Sequence, residues 1–169
     1  MNRKRARRYG LFAVAVAVGI LVLYLVVSHA GLLPVSTGSY EQRTLTVTDC
    51  AGDERATVTA DVAASSAQQY VGLSRTDSLA PDEGMLFPYD EVAFRAFEMR
   101  NMAFGLDIVY IGSNGEITEI TTMDAPGGPL EYYLTYDSTT GVGQYVLEVV
   151  SGWSEANGVS SGDCVTGLP

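Results

Sequence analysis

Residues 106–123, LDIVYIGSNGEITEITTM, carry the plainest structural signal in the chain. Leu106 to Ile111 form a short apolar run rich in β-branched and aromatic residues, and Ile117 to Met123 form a second, interleaved with Thr and Glu. Between them stands Gly112-Ser113-Asn114-Gly115, where Asn114-Gly115 suits a turn that needs positive φ. The stretch reads as strand, tight turn, strand.

Working outward, RTLTVTDC (Arg43–Cys50) alternates Leu45 and Val47 with threonines, AGDE turns, and RATVTADVA (Arg55–Ala63) alternates again, which predicts a hairpin. SSAQQYVGLSR (Ser65–Arg75) changes period. Ala67, Tyr70 and Val71 are spaced for one short helix, with Ser65 or Ser66 as N-cap and Gly72 near its end. EGMLFPYD (Glu83–Asp90) is a brief apolar run and EVAFRAFEM (Glu91–Met99) another strand. DAPGGPLEYYLTYDSTTGVG (124–143) reads as loop, and QYVLEVV (Gln144–Val150) as a buried strand. SGWSEANGVSSGDCV (Ser151–Val165) gives a short helical turn closed by Asn157-Gly158, a turn at Gly162-Asp163 and a last strand. Many short strands without a βαβ rhythm predict a mainly β (α+β) single domain, an antiparallel barrel or sandwich with two short helices.

The chain opens differently. MNRKRARRYG holds five cationic side chains, and Leu11 to Val27 follow with no charge over 17 residues. At roughly 1.5 Å per residue that run makes about 25 Å of helix, slightly short of a hydrocarbon core, and Tyr9, Gly10 and Ser28 can extend it. Cations before the run and none soon after place the N-terminus in the cytoplasm and the body outside. Ser28-His29-Ala30 offers small residues at the spacing of a secretory cleavage site, which would release a secreted product. The run exceeds a signal core of about 7–15 residues, however, and favours an uncleaved anchor. Arg7-Arg8 fits a twin-arginine signal poorly, given Tyr9-Gly10-Leu11 after it. The expected division is a basic cytoplasmic tail (1–10), a transmembrane span (11–28), a linker (29–42) and an exported β-rich domain (43–169).

Beyond Gly31 five arginines face all 20 acidic residues, a net charge of −15, and no lysine is present. Such a body repels nucleic-acid phosphates and anionic lipid head groups, so neither is expected as a partner. The composition resembles that of salt-loving proteins, whose carboxylates keep them soluble where salt screens self-repulsion. Cys50 and Cys164, the chain's two cysteines, read as a disulfide in an exported domain, with two buried thiols as the alternative.

Against this background FRAFEMRNMAFGLDI (Phe94–Ile108) is odd, because Glu98, Arg100 and Asn101 interrupt an aromatic and methionine-rich run. The order GLSR (Gly72–Arg75), GMLF (Gly84–Phe87), FEMRNMAFGLDIVYI (Phe97–Ile111), NGEI (Asn114–Ile117), YVLEV (Tyr145–Val149) and GVSSGDCV (Gly158–Val165) resembles the family called domain of unknown function 192. That family runs G-L-M-x-R, G-M-L-F, aromatic-x-M-K-N-T-x-x-P-L-D-I, d-G, V-L-E and G-I-x-x-G-D-x-V. The likeness spans about Leu45 to Val165. Met99, Asn101, Leu106 and Asp107 match, whereas Ser74 replaces the Met, Arg100 the Lys, Met102 the Thr and Gly105 the Pro. The resemblance implies a compact β-rich domain, often behind an export segment, with no established activity.

If Phe94 to Met99 is a strand, Phe97 and Met99 share one face and Glu98 and Arg100 the other, which predicts a Glu98–Arg100 ion pair. Asn101 tolerates left-handed backbone, and Asp107 is placed to accept N–H groups of that turn. Glu148 within an apolar strand is costly unless paired, with Arg75 or Arg100 as natural partners. Met85, Phe87, Met99 and Met102 would wall a polar pocket in which Arg75 and Arg100 receive an anion. The candidate ligand-binding set is therefore Arg75, Met85, Phe87, Glu98, Arg100, Asn101, Asp107 and Glu148. A binding site requires one cleft joining Arg75, Arg100, Asn101 and Asp107, and a hydrogen-bonded corner is the alternative. Tyr132, Tyr133 and Tyr136 with Trp153 suit either a groove or ordinary packing.

Catalytic chemistry narrows by elimination. The single histidine, His29, sits at the membrane edge, so no Ser-His-Asp or Cys-His arrangement forms in the body. No His/Cys cluster, Asp-rich calcium loop or phosphate-cradling loop occurs, and no metal or cofactor is expected. What survives is carboxylate chemistry by Glu98, Asp107 or Glu148. The function expected is a membrane-anchored, extracytoplasmic, small-ligand-binding or accessory module of the cell envelope. A carboxylate hydrolase and a structural partner of another envelope protein are the alternatives.

Overall fold

The computed structural model describes residues 3–29 and 35–169. Residues 30–34 of the expected linker, with the Ala30 of the cleavage-like motif, lie outside the described residues, as do residues 1 and 2 of the tail. The chain forms two compact units, one up to Pro34 and one from Val35 to Pro169. The first is helix α1, Arg3–His29, whose stretch Phe12–His29 is long and apolar enough to cross a membrane.

In the second unit the order is β1 Glu41–Thr48, β2 Glu54–Val62, α2 Ser66–Val71, β3 Glu83–Glu98, β4 Leu106–Ile111, β5 Ile117–Met123, α3 Pro129–Tyr133, β6 Ser138–Val150, α4 Trp153–Ala156 and β7 Cys164–Thr166. It is mainly β, with seven strands in one sheet ordered β5-β4-β6-β3-β2-β1-β7. Two expectations are corrected. The sheet is mixed, because β2 and β3 run parallel from Thr59↔Glu83 to Val62↔Leu86. Parallel neighbours need a long crossover, and residues 63–82 supply it around α2, a helix too short to announce a βαβ unit. Nor does the sheet close into a barrel. Its edges β5 and β7 meet at an isolated bridge, Glu116↔Cys164.

Local chemistry explains the elements. Ser65 caps α2 in a capping box, its Oγ accepting from Gln68 N–H at 3.2 Å while Gln68 Oε1 accepts from Ser65 N–H at 2.9 Å. Gly115 takes φ +84° in the β4–β5 turn, the conformation that the Asn-Gly pair predicts. A third short helix, α3, stands where loop is expected. Pro129 opens it at the first turn, where a missing N–H costs nothing.

The long strands carry the architecture. Phe87 and Phe97 both lie on β3, ten residues and so about 33 Å apart if it were straight, yet their rings meet edge to face at 5.0 Å. The strand therefore doubles back, and its pairing with β6 breaks register between Pro88 and Ala93. β6 follows it, extending into Ser138–Gly143, which the sequence presents as loop. Gly141 permits this close packing, since a Cβ there would lie 2.5 Å from the Tyr110 ring.

Two buried clusters result. One gathers Leu45, Val58, Leu86, Val109, Ile111, Leu147, Val149, Trp153 and Val165. The other gathers Met85, Phe87, Phe97, Met99, Met102, Ile108, Tyr110, Met123 and Val146, between the main sheet and the doubled-back ribbon. Alternation along β4 and β6 feeds both clusters, one from each face. Cys50 and Cys164 form the expected disulfide, tying the β1–β2 turn to β7.

Candidate functional site

Asp107 lies on the first-cluster side of β4, cross-strand from Val149, and is 1 % exposed. Its Oδ1 accepts from Thr122 Oγ1 at 2.7 Å and Gly152 N–H at 3.1 Å, and its Oδ2 accepts from Ser154 N–H at 2.8 Å. The carboxylate thus fastens the start of α4 to the sheet, rather than bonding the turn before β4 as its sequence position suggests. Removing it strands three donors in a buried place. Asp107→Ala is expected to destabilise by about 3 kcal/mol, with Asp107→Asn milder. Denaturant unfolding followed through Trp153, the chain's one tryptophan and the first residue of α4, measures both.

Glu148 faces the other way. It pairs across the sheet with Met85 and Ile108, beside the second cluster, and is 6 % exposed. Neither arginine expected to neutralise it does so. Among the described residues the ion pairs are Arg43–Glu41 and Arg55–Asp163, and no hydrogen bond to the Glu148 carboxyl is present. Burial pushes its pKa from an ordinary 4.5 up to about 8, so at neutral pH the group is a neutral acid.

Arg100 turns elsewhere for a physical reason. β3 ends at Glu98 and Asn101 adopts φ +58°, so strand alternation stops before it can set Arg100 beside Glu98. The guanidinium stacks 4.4 Å from the Tyr70 ring centroid and donates to Tyr70 Oη at 3.2 Å and to its carbonyl at 2.9 Å, gripping the end of α2. Asn101 N–H donates to the Tyr132 carbonyl. Glu98 instead meets Tyr136. Burial holds that phenol above its ordinary pKa, and the charge and hydrogen bonding of Glu98 raise it further.

Arg75 stands in a cleft of about 540 Å³ bounded by β1, β2, the start of β3 and the segment after α2. Tyr40, Gln42, Thr59, Asp61, Thr76, Ser78, Asp82 and Glu83 supply its polar lining, and Val71, Leu73, Leu79 and Met85 its apolar lining. Arg75 Nη1 donates to the Val35 carbonyl at 2.8 Å, and Gln42 Nε2 to Asp61 Oδ1 at 3.0 Å. Of the eight candidates this cleft holds Arg75 and Met85. Met85 and Phe87 share the second cluster, next to Glu148, while Asp107 is on the opposite face. The four residues required to share one cleft are therefore not gathered there.

Sequence reading missed two features. The polar cleft wall comes from cross-strand partners on the first hairpin, Gln42↔Asp61 chief among them; Gln42 falls in the expected linker, and the outward positions Thr59 and Asp61 of the second alternating run were its signal. Arg95 lies over the Tyr89 ring at 3.9 Å across the register break in β3. Burial is the first reason that the Tyr89 phenol is raised, opposed by the Arg95 charge and reinforced by Glu148. Among the described residues no cluster of three His, Cys, Asp or Glu side chains could hold a metal ion.

The comparisons agree on kinship without naming a reaction. A protein from Sinorhizobium meliloti 1021, for which a role as transcription regulator has been suggested, is similar at 28 % identity and a TM-score of 0.68, over 78 % of this chain and 98 % of its own. A protein of unknown function from Novosphingobium aromaticivorans DSM 12444 is similar at 30 % identity and a TM-score of 0.60, over 72 % of this chain and 82 % of its own. No curated protein matches. With the family model described as "Uncharacterized ACR" matching residues 47–167, the chain belongs to the domain of unknown function 192 family.

Proposed function

We propose that this chain is a membrane-tethered, extracytoplasmic domain that binds a small polar ligand in the Arg75 cleft. The observation that carries the reading is the cleft itself. Its volume of about 540 Å³ falls in the range of small-molecule sites, and a single guanidinium stands among hydroxyl, amide and carboxylate side chains beside an apolar wall. The tether is supported by α1, and a disulfide suits an oxidising compartment outside the cytoplasm. A mature chain lacking its first thirty or so residues would replace the anchor with a secreted form.

Rival readings meet specific obstacles. A hydrolase built on Asp107 and Glu148 fails geometrically, because the two carboxyls face opposite sides of the sheet. Transcription regulation by direct contact with DNA, a role of the kind suggested for the Sinorhizobium protein, is opposed by the −15 charge of the body.

The test is thermal unfolding of the full chain in lipid nanodiscs, read by Trp153 emission, against monosaccharides, amino acids and dicarboxylates. At least one class is expected to raise the midpoint by several degrees, and Arg75→Ala to abolish the rise. A panel without effect, or a rise that survives Arg75→Ala, rejects this cleft as the site.

A further inference from the structure

The outer half of β3 has an open side. β2 pairs with β3 over Glu83–Leu86, and β6 pairs with Gly84–Pro88 and, beyond the register break, with Ala93–Glu98 along the other flank, so residues 91–98 have no backbone neighbour on the β2 side among the described residues. An uncovered strand edge invites another strand, and proteins usually blunt it with Lys, Pro or a covering element. From Glu91 to Glu98 this edge carries neither Lys nor Pro. It also carries Phe94, 78 % exposed and the most exposed large hydrophobic residue described beyond α1. Phe94 is cross-strand from Val142, also exposed, and Val92 two residues earlier is exposed as well. An apolar strip thus lies beside a strand edge that no other strand covers.

Charge decides what can cover it. Asp90, Glu91 and Glu98 bracket the strip, within a body of net charge −15. A second copy pairing antiparallel about the Phe94–Arg95 bond would set Glu91 opposite Glu98 at both ends, and like charges directly opposite are destabilising. Centring the pair on Phe94 sets Asp90 opposite Glu98 instead. The same acids favour a partner with Lys or Arg at those ends. Arg95, stacked on Tyr89 and donating to the Glu91 carbonyl at 2.6 Å, offsets one of these three charges and leaves the edge net negative.

We propose that residues 91–98 of β3 form a docking edge for an extended segment of another envelope protein, apolar in its middle and basic at both ends, which adds as an eighth strand beside Phe94. Main-chain hydrogen bonds supply affinity in this mode, and alternate side chains supply specificity. The surface is separate from the Arg75 cleft, so the two stand or fall independently.

The test uses the full chain in zwitterionic lipid nanodiscs and a synthetic probe of alternating Val and Thr flanked by lysines. Binding is expected with slowed amide hydrogen exchange across residues 91–98. Phe94→Ser, a change at an exposed position, is expected to weaken it at least about tenfold, as is a proline in the middle of the probe, which removes a ladder donor. Equal binding of the proline-bearing probe would mean charge attraction alone and overturn the proposal. So would binding undiminished by Phe94→Ser, absence of binding, or concentration-dependent self-association of the chain that Phe94→Ser removes.

Discussion

Between pH 5 and pH 8 the domain is expected to lose up to roughly 4 kcal/mol of stability, and Glu148→Gln to remove most of that loss. The sign follows from which state holds the proton. Below the ordinary value of 4.5 the Glu148 carboxyl is protonated whether the chain is folded or not, so its burial carries no charge penalty. Between 4.5 and about 8 the unfolded chain has released the proton and the folded one keeps it. Unfolding then frees a proton, and stability falls by about 1.4 kcal/mol per pH unit until the folded group ionises too, after which it levels off. The background is unusually quiet for such a measurement. The body has no histidine to titrate in that range. A charged Glu148 would also raise its neighbours Tyr89 and Tyr110, whose phenols burial already holds up. Denaturant unfolding at pH 5, 7 and 9 measures the slope. If wild type and Glu148→Gln fall in parallel, the carboxyl is not the source, and the picture of an unpaired acid beside Met85 and Ile108 is wrong.

That acid also shows how far the sequence could be read. Short-range grammar was legible: an N-cap at Ser65 or Ser66, the first hairpin, the Asn114-Gly115 turn and the cysteine pair are settled by residues a few positions apart or by sheer scarcity. The buried carboxylate in YVLEVV was legible as an anomaly. Its resolution was not, because strand alternation fixes a face but not what stands opposite it. Asp107 finds its backbone partners 45 and 47 residues later, and Arg100 finds Tyr70 30 residues earlier. Such choices depend on how the doubled-back ribbon and α2 come to rest. The parallel β2–β3 pair was hidden for a related reason, since the six residues of α2 give a helical period too brief to signal a crossover. β6 begins in Ser138-Thr139-Thr140-Gly141, which lacks an apolar period of its own and becomes strand because the outer half of β3 offers it a ladder. The Arg75 cleft arises from polar positions on three strands, each of which alone looks like a solvated face.

Reduction of Cys50–Cys164 is the second large effect expected. The bond spans 114 residues of sequence, nearly the whole domain. Closing a loop of that size removes enough freedom from the unfolded chain to stabilise the fold by about 5 kcal/mol in the chain-entropy model. The site of the cross-link adds a local consequence. β7 is three residues long and pairs with β1 through Thr46↔Thr166, Val47↔Val165 and Thr48↔Cys164. On its other side Val165 N–H donates to the Gly115 carbonyl, at the β4–β5 turn. A strand so short stays in place because the disulfide fixes one end, and Cys50 itself holds φ +64°, a conformation that side chains with a Cβ adopt at a cost. Once reduced, Cys50 is released from that backbone and β7 from its anchor. Hydrogen exchange should therefore rise first in Cys164–Thr166 and in the Gly112–Ile117 turn, while β3, β4 and β6 stay protected. The Cys50→Ser/Cys164→Ser variant should reproduce both the lower unfolding free energy and the early opening. A loss below about 1 kcal/mol would mean that the sheet holds β7 without help, and uniform exchange across all strands would mean that the bond acts on the whole fold rather than on the seam where the sheet's two edges meet.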